Sequence, residues 1–202
     1  MEIPEDIKEK IRNLEVLTDL DGTMIDEESQ YLEAFYISTF HLKHQPFSFL
    51  GKGIRACIDY VAKNDLSSFY SLFQGCPTEF LDRVQRLIHI KKEWSDSIQK
   101  KGFQKIGILS RNNERLIQGF LEQPTYNGPK IDLIIANRPK IINEVYNGEV
   151  EILVDNKNLA DYINGIRYIC GKEEKGIVTK SKGMHSERLK NGLYLCYRKK
   201  IF

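Results

Sequence analysis

Two aspartates two residues apart, Asp19 and Asp21, follow the apolar run Val16-Leu17 in the segment Leu14-Glu15-Val16-Leu17-Thr18-Asp19-Leu20-Asp21-Gly22-Thr23. If that run is a buried strand, both carboxylates leave its end toward one cleft, and Gly22 permits the turn that follows. Like charges held this close need a cation, or one of them must keep a proton. Hard oxygen ligands in small number suit magnesium, with a phosphate group completing the shell, so this spacing can build a metal site with an activated nucleophile. The competing reading is an acidic turn after a strand, because Asp-Gly is a common turn dipeptide.

The elements needed to position such a pair are legible along the chain. Five short runs rich in Ile, Val and Leu read as buried strands: Glu15–Thr18, Lys105–Leu109, Asp132–Ala136, Glu151–Val154 and Arg167–Cys170. Helical patterns separate the last four. Asn112 to Glu122 carries Leu116, Ile117, Phe120 and Leu121 at helical spacing. Asn137 can cap a second helix, with Pro139 in its first turn and Ile141, Ile142 and Val145 turned inward. A third helix spans Asn156 to Asn164 and ends at Gly165. This alternation predicts an α/β fold with a parallel sheet covered by helices on both faces.

The stretch between Thr23 and Lys105 contains no convincing strand. It reads as helices over Glu28–Phe40, Ile54–Lys63, Leu66–Phe73 and Thr78–Lys92, with Gly51 and Gly53 flanking a turn and Pro77 opening the last helix. A helical insert after the first strand is expected to form a cap over the carboxyl end of the sheet, where open α/β sheets bind ligands. The expected division is a core of residues 1–23 and 102–202, with a β-rich extension over about 171–202, and a helical cap of residues 24–101. In the extension, Gly176–Thr179 and Leu193–Arg198 could pair and add or cover a sheet edge.

Asp19 to Thr23 resembles, without departure, the DxDGT motif of the haloacid dehalogenase (HAD) superfamily of phosphotransferases. The resemblance implies a Rossmann-like HAD core and a magnesium-dependent phosphomonoester phosphatase. It implies that Asp19 is the nucleophile, forming an aspartyl-phosphate, and that Asp21 protonates the leaving group and then activates water. The chemistry is coherent by itself. A carboxylate nucleophile divides phosphoryl transfer into two easier steps, and a neighbouring carboxyl can act as acid and then as base. Magnesium (Mg2+) offsets repulsion between nucleophile and phosphate.

Three further family motifs have counterparts in order. Ser110 ends Ile106-Gly107-Ile108-Leu109, and it and the backbone N–H groups of Arg111 and Asn112 could bind phosphoryl oxygens, with Thr23 beside them. Lys140 is the expected cation, at the start of the helix before the fourth strand, with Lys130 as competitor and Arg138 as a backup. The acidic motif falls at Asp155-Asn156, where the family has two acids or a later Asp, so either Asp155 or Asn156 would be the direct ligand completing a metal set with Asp19 and Asp21. An amide oxygen is an acceptable, uncharged ligand. Asp161 reads as a surface residue.

Composition narrows the class. The 202 residues are 41% hydrophobic and 29% charged, which excludes collagen-like, mucin-like and disordered chains. No apolar run approaches a membrane-spanning length, and MEIPEDIKEK does not read as a secretory signal. Cysteines 57, 76, 170 and 196 form no CxxC pair, and histidines 41, 44, 89 and 185 match no metal pattern. A cytoplasmic protein with free thiols is expected, with signal-less export left open. Residues 162–202 hold ten Lys/Arg and three Asp/Glu, a net of +7, against −5 for the remainder. The expected partner is a phosphorylated small molecule or a phosphoprotein, and nucleic acid is not expected. Lys52 and Arg55, in a Gly-flanked basic turn, are candidate cap contacts to the substrate, and the dense cap aromatics read mainly as packing. The alternative is a HAD-like binding or regulatory protein with weak or lost turnover, motivated by Asn156 and the basic tail.

Overall fold

The computed structural model describes residues 3–26, 29–44, 65–164, 166–170 and 194–195. The elements are α1 (Glu5–Arg12), β1 (Val16–Thr18), α2 (Ser29–His44), α3 (Leu66–Ser71), α4 (Thr78–Gln85), α5 (Lys92–Lys101), β2 (Ile106–Asn113), α6 (Glu114–Leu121), β3 (Leu133–Ile142), β4 (Val145–Glu151), α7 (Leu159–Tyr162), β5 (Arg167–Cys170) and β6 (Tyr194–Leu195). One sheet has the order β4-β3-β2-β1-β5-β6. β1 lies parallel to both β2 and β5, and β2 is parallel to β3, whereas β4 and β6 are antiparallel edges. β6 thus adds an edge to the sheet, within the span expected to pair at Leu193–Arg198. Gly176–Thr179, Ile54–Lys63, Lys52, Arg55 and Gly165 lie outside the described residues.

Alternation along the strands separates two cores. On β1, Val16 joins a cluster with Ile106, Ile108, Leu116, Ile117 and Phe120, while Leu17 joins one with Ile7, Ile11, Leu109, Ile135 and Tyr162. The first turn of α1 is acidic and its last turn basic, complementing the helix dipole, and Ile7 and Ile11 are its buried face. Each such buried aliphatic side chain stabilises the fold by about 1.5–3 kcal/mol. Strands β1 and β2 approach closely because residue 107 is glycine: a Cβ there would sit 2.6 Å from Leu14 Cδ1 and 2.8 Å from Leu17 Cδ2.

Helices α2, α3 and α4 pack on a third cluster of Ile37, Leu66, Phe69, Tyr70, Phe73, Cys76, Leu81 and, from β4, Tyr146. The helix expected over Thr78–Lys92 stops at Gln85; Ile90 bridges to Ile25, the Lys91 N–H reaches the Met24 carbonyl over 2.8 Å, and a separate helix, α5, begins at Lys92. Helix α5 packs outside that third cluster: its Trp94 and Ile98 join Val16 in the sheet core, and Trp94 Nε1 donates to Thr18 Oγ1 over 3.0 Å.

The largest correction concerns residues 137–154. The helix expected after Asn137 is a β-hairpin, β3–β4. Ile141, Ile142 and Val145 satisfy a helical stripe, but they are also β-branched residues suited to a pleated surface. The left-handed backbone of Asn143 (φ 50°) and Glu144 (φ 59°) builds a two-residue hairpin turn. Pro139, which cannot donate to a ladder, sits where the β3–β4 register shifts. The strand expected at Glu151–Val154 is correspondingly absent. β4 ends at Glu151, and residues 152–155 carry no regular secondary structure, although Leu153 and Val154 are buried in the core. The strand beside β1 on that side is β5.

Candidate active site

At the carboxyl ends of β1 and β2 lies a cavity of about 230 Å³ lined by Asp19, Asp21, Ser110, Arg111, Asn156 and Tyr168, among others. Backbone pairing fixes Asp19: its N–H donates to the Ile169 carbonyl of β5 over 2.8 Å, and its Oδ1 accepts the Leu20 N–H at 2.9 Å. Gly22 takes φ 65°, a conformation other residues resist, and so allows the chain to turn immediately after Asp21.

Asp21 is held from two directions. Its Oδ1 accepts the Ser29 N–H at 2.7 Å and the Ser29 hydroxyl at 2.5 Å, both from the start of α2. Its Oδ2 accepts from Asn112 Nδ2 at 3.3 Å, and that amide also donates to Ser29 Oγ. Ser29 and Asn112 are fully buried. Helix α2 is therefore joined to β1 and β2 through the second carboxylate of the motif.

Ser110 is buried, and its Oγ accepts the Asn112 N–H at 3.2 Å. This departs from the expectation that the Asn112 N–H faces phosphate. Helix α6 begins at Glu114, with Asn113 as its cap through Oδ1 and the Arg115 N–H at 3.0 Å. Arg111 lines the cavity, and its carbonyl accepts Asn137 Nδ2 at 2.7 Å. Thr23 is buried and lines a second cavity, of about 480 Å³, with Gly22 and Trp94.

The Asp155-Asn156 pair divides. Asn156 lines the cavity, whereas Asp155 Oδ1 accepts the N–H groups of Lys157 (2.8 Å) and Asn158 (2.9 Å) and closes the turn into α7. Lys140 is not brought to this cavity. It stands on the hairpin, 62% exposed, paired with Glu149 at 2.5 Å, and this exposed pair raises its pKa. Lys130 is 86% exposed and pairs with Asp132, and Arg138 pairs with Glu114 at 2.8 Å.

No family model and no curated protein sequence matches the chain. Solved structures do. A phosphoserine phosphatase from T. onnurineus is 17% identical over 77% of this chain and 72% of its own, with a TM-score of 0.50. The chain has the HAD fold. A probable phosphoserine phosphatase from Vibrio cholerae is also 17% identical, over 73% of this chain and 44% of its own, with a TM-score of 0.48. Against a structure described as a phospho-aspartyl intermediate analogue of phosphoserine phosphatase the identity is 16% and the TM-score 0.48, and the chain spans 62% of that protein's length.

Within this HAD-like topology the helix preceding the strand beside β1 is α7, and the lysine just before it is Lys157. The sequence reading also missed Ser29, the Asn112 side chain and Asn137. Polar residues that become fully buried on folding were the available signal, but burial is decided by the tertiary structure.

Proposed function

We propose that this protein is a magnesium-dependent phosphomonoester phosphatase acting through an aspartyl-phosphate. The observation that carries the reading is the convergence of Asp19, Asp21, Ser110 and Arg111 on one cavity at the carboxyl ends of adjacent parallel strands. In the first step an Asp19 carboxylate oxygen bonds to phosphorus as the bond to the leaving oxygen breaks, and Asp21 gives that oxygen a proton. In the second, Asp21 takes a proton from water, whose oxygen attacks phosphorus, and the Asp19–phosphorus bond breaks to restore the carboxylate. Ser29 and Asn112 fix the Asp21 carboxyl for both transfers. Ser110 and Arg111 face the phosphoryl oxygens.

The donor set fits Mg2+. Asp19 and the Asn156 amide offer hard oxygens in one cavity, and Asp21 oxygens are bound to Ser29 and Asn112. Among the described residues no three His, Cys, Asp or Glu side chains form a metal cage, and Mg2+ characteristically keeps waters and substrate oxygens instead. Bound there, Mg2+ would supply charge neutralisation of the phosphate. Of the two candidate ligands in the acidic motif, Asn156 is favoured over Asp155.

A cavity of this volume suits a phosphoryl group on a small body. Phosphate release from an aryl phosphate and a phosphometabolite panel, with Mg2+ or chelator, tests the reading. Activity is expected to need Mg2+ and to fall by at least about 10³ in Asp19→Asn. Metal-independent turnover, or turnover retained in Asp19→Asn, would sink it. No turnover from folded protein would favour the binding-protein alternative.

A further inference from the structure

Glu33 lies one turn beyond Ser29 on α2, on the same face of the helix, and is fully buried. Its Oε1 accepts Asn113 Nδ2 at 3.1 Å, and among the described residues its Oε2 has no hydrogen-bond partner. Asn113 Nδ2 also donates to the Tyr146 hydroxyl of β4 at 3.3 Å. Ser29 and Glu33 thus bind two consecutive asparagines: Ser29 meets Asn112, which holds Asp21, and Glu33 meets Asn113, which caps α6.

The charged and titratable groups facing this seam offer a carboxylate no relief. From the loop after β1 comes Asp21, of like charge. From β4 comes Tyr146, whose own ionisation burial opposes. From α6 comes Arg115, which is paired with Asp82 of α4 at 2.7 Å and lies 3.7 Å from Glu144 of the hairpin turn. A buried ion without a paired cation is far costlier than a buried acid that misses one hydrogen bond.

We infer that Glu33 is a positioning residue whose uncharged carboxyl seats α2 on the β2–α6 junction and thereby holds Ser29 against Asp21. The inference rests on the proposed role of Asp21. Burial, offset in part by the Asn113 hydrogen bond and reinforced by the charge of Asp21, pushes this carboxyl up to about 8 from an ordinary 4.5. Protonated at neutral pH, it makes the seat stable there. Its ionisation at higher pH places a second negative charge behind the Asp21 site and loosens α2.

The test is a comparison of wild type, Glu33→Gln and Glu33→Ala in two assays across pH 6 to 10. In phosphate release, Glu33→Gln is neutral at every pH and still accepts from Asn113. It should keep kcat at pH 7 within about threefold of wild type and lack the wild-type fall in kcat above about pH 8. Glu33→Ala should lose about tenfold or more in kcat at all pH values, with KM little changed. The second assay is hydrogen exchange at the Ser29 amide, which donates to Asp21. Protection should fall in wild type above about pH 8, beyond the ordinary rise of exchange with hydroxide, and should persist in Glu33→Gln. Superimposable pH profiles of wild type and Glu33→Gln, in either assay, would overturn the inference. So would Glu33→Gln being as impaired as Glu33→Ala at pH 7, since that would mean the ionised carboxylate is required. Absence of turnover in all three proteins would count against the phosphatase reading, while the Ser29 exchange would still decide whether Glu33 seats α2.

Discussion

The amide of Asn137 donates to the Arg111 carbonyl over 2.7 Å, across the gap between β3 and the end of β2. The same side chain donates to the Val154 carbonyl at 3.1 Å, and its Oδ1 accepts the N–H groups of Leu153 and Val154, each at 2.9 Å. One fully buried amide therefore ties the Ser110-Arg111 side of the cavity to the segment that leads into Asn156. It supplies hydrogen bonds that Leu153 and Val154 do not obtain from strand pairing, while Asn158 and Tyr162 donate to the Leu153 carbonyl and Asn158 Oδ1 accepts the Asp155 N–H.

Asn137→Ala leaves the N–H groups of Leu153 and Val154 and the Val154 carbonyl without this partner, at roughly 1–3 kcal/mol for each unsatisfied group, while the Arg111 carbonyl keeps the Tyr70 hydroxyl at 3.3 Å. A loss of about 3 kcal/mol is expected, or roughly 6–12 °C in melting temperature for a domain of this size. Activity should fall further than stability alone explains, because Arg111 and Asn156 lose their common support. Thermal unfolding with kinetics below the transition checks both parts, and a melting temperature unchanged from wild type would remove Asn137 from this role.

Lys140 and Arg111 make opposite predictions. Lys140→Ala removes an exposed pair with Glu149 and should leave kcat/KM within about twofold and the melting temperature unchanged. Arg111→Ala removes a cation from the cavity lining and should cost roughly a hundredfold or more in kcat/KM. Lys157→Ala belongs in the same series, as the lysine before α7. Steady-state kinetics of the three variants assign the working cation, and a large loss in Lys140→Ala alone would restore the sequence expectation.

Gly107→Ala places a methyl group 2.6 Å from Leu14 Cδ1 and 2.8 Å from Leu17 Cδ2, so β1 must shift or these leucines must leave their rotamers. Overpacking of this kind costs about 1–3 kcal/mol. Because β1 carries Asp19, turnover should drop together with the denaturation midpoint. Restored stability in Gly107→Ala combined with Leu14→Ala would trace the effect to that contact.

Glu33 also makes stability depend on pH. Its carboxyl is held up to about 8 in the folded chain against an ordinary 4.5. Its full contribution is present below 4.5, and it is lost as pH rises toward 8, because across that window the unfolded chain has released a proton the folded chain keeps. The slope is at most about 1.4 kcal/mol per pH unit. Urea midpoints of wild type, measured from pH 5 to 8, should fall relative to those of Glu33→Gln, and parallel curves would contradict the assignment.

Cys76 is a buried free thiol whose ionisation is pushed up to about 12 by burial. The thiolate is the reactive form, so alkylation of Cys76 in the folded protein at pH 8 should be slow and should become fast in denaturant. Residue-resolved mass spectrometry separates it from the other three cysteines.

The DxDGT segment was legible because its chemistry is local: strand, two carboxylates and a glycine turn occupy consecutive residues. The same holds for the strands carrying Asp19 and Ser110 and for helix α6, whose short-range patterns match their final environment. The hairpin at 133–151 was not legible, because Ile141, Ile142 and Val145 fit a helix stripe and a strand equally well. Pairing with β2 and the left-handed turn at Asn143 and Glu144 resolved that ambiguity in space. On the hairpin Lys140 stands outside the cavity, while the turn into α7 takes up Asp155 and leaves Asn156 as the cavity residue. Ser29, Glu33, Asn112 and Asn137 acquire meaning only when residues far apart in the chain remove them from water together. A polar side chain is ordinary when solvated, and it becomes a constraint on the site when its hydrogen bonds must all be found within the protein.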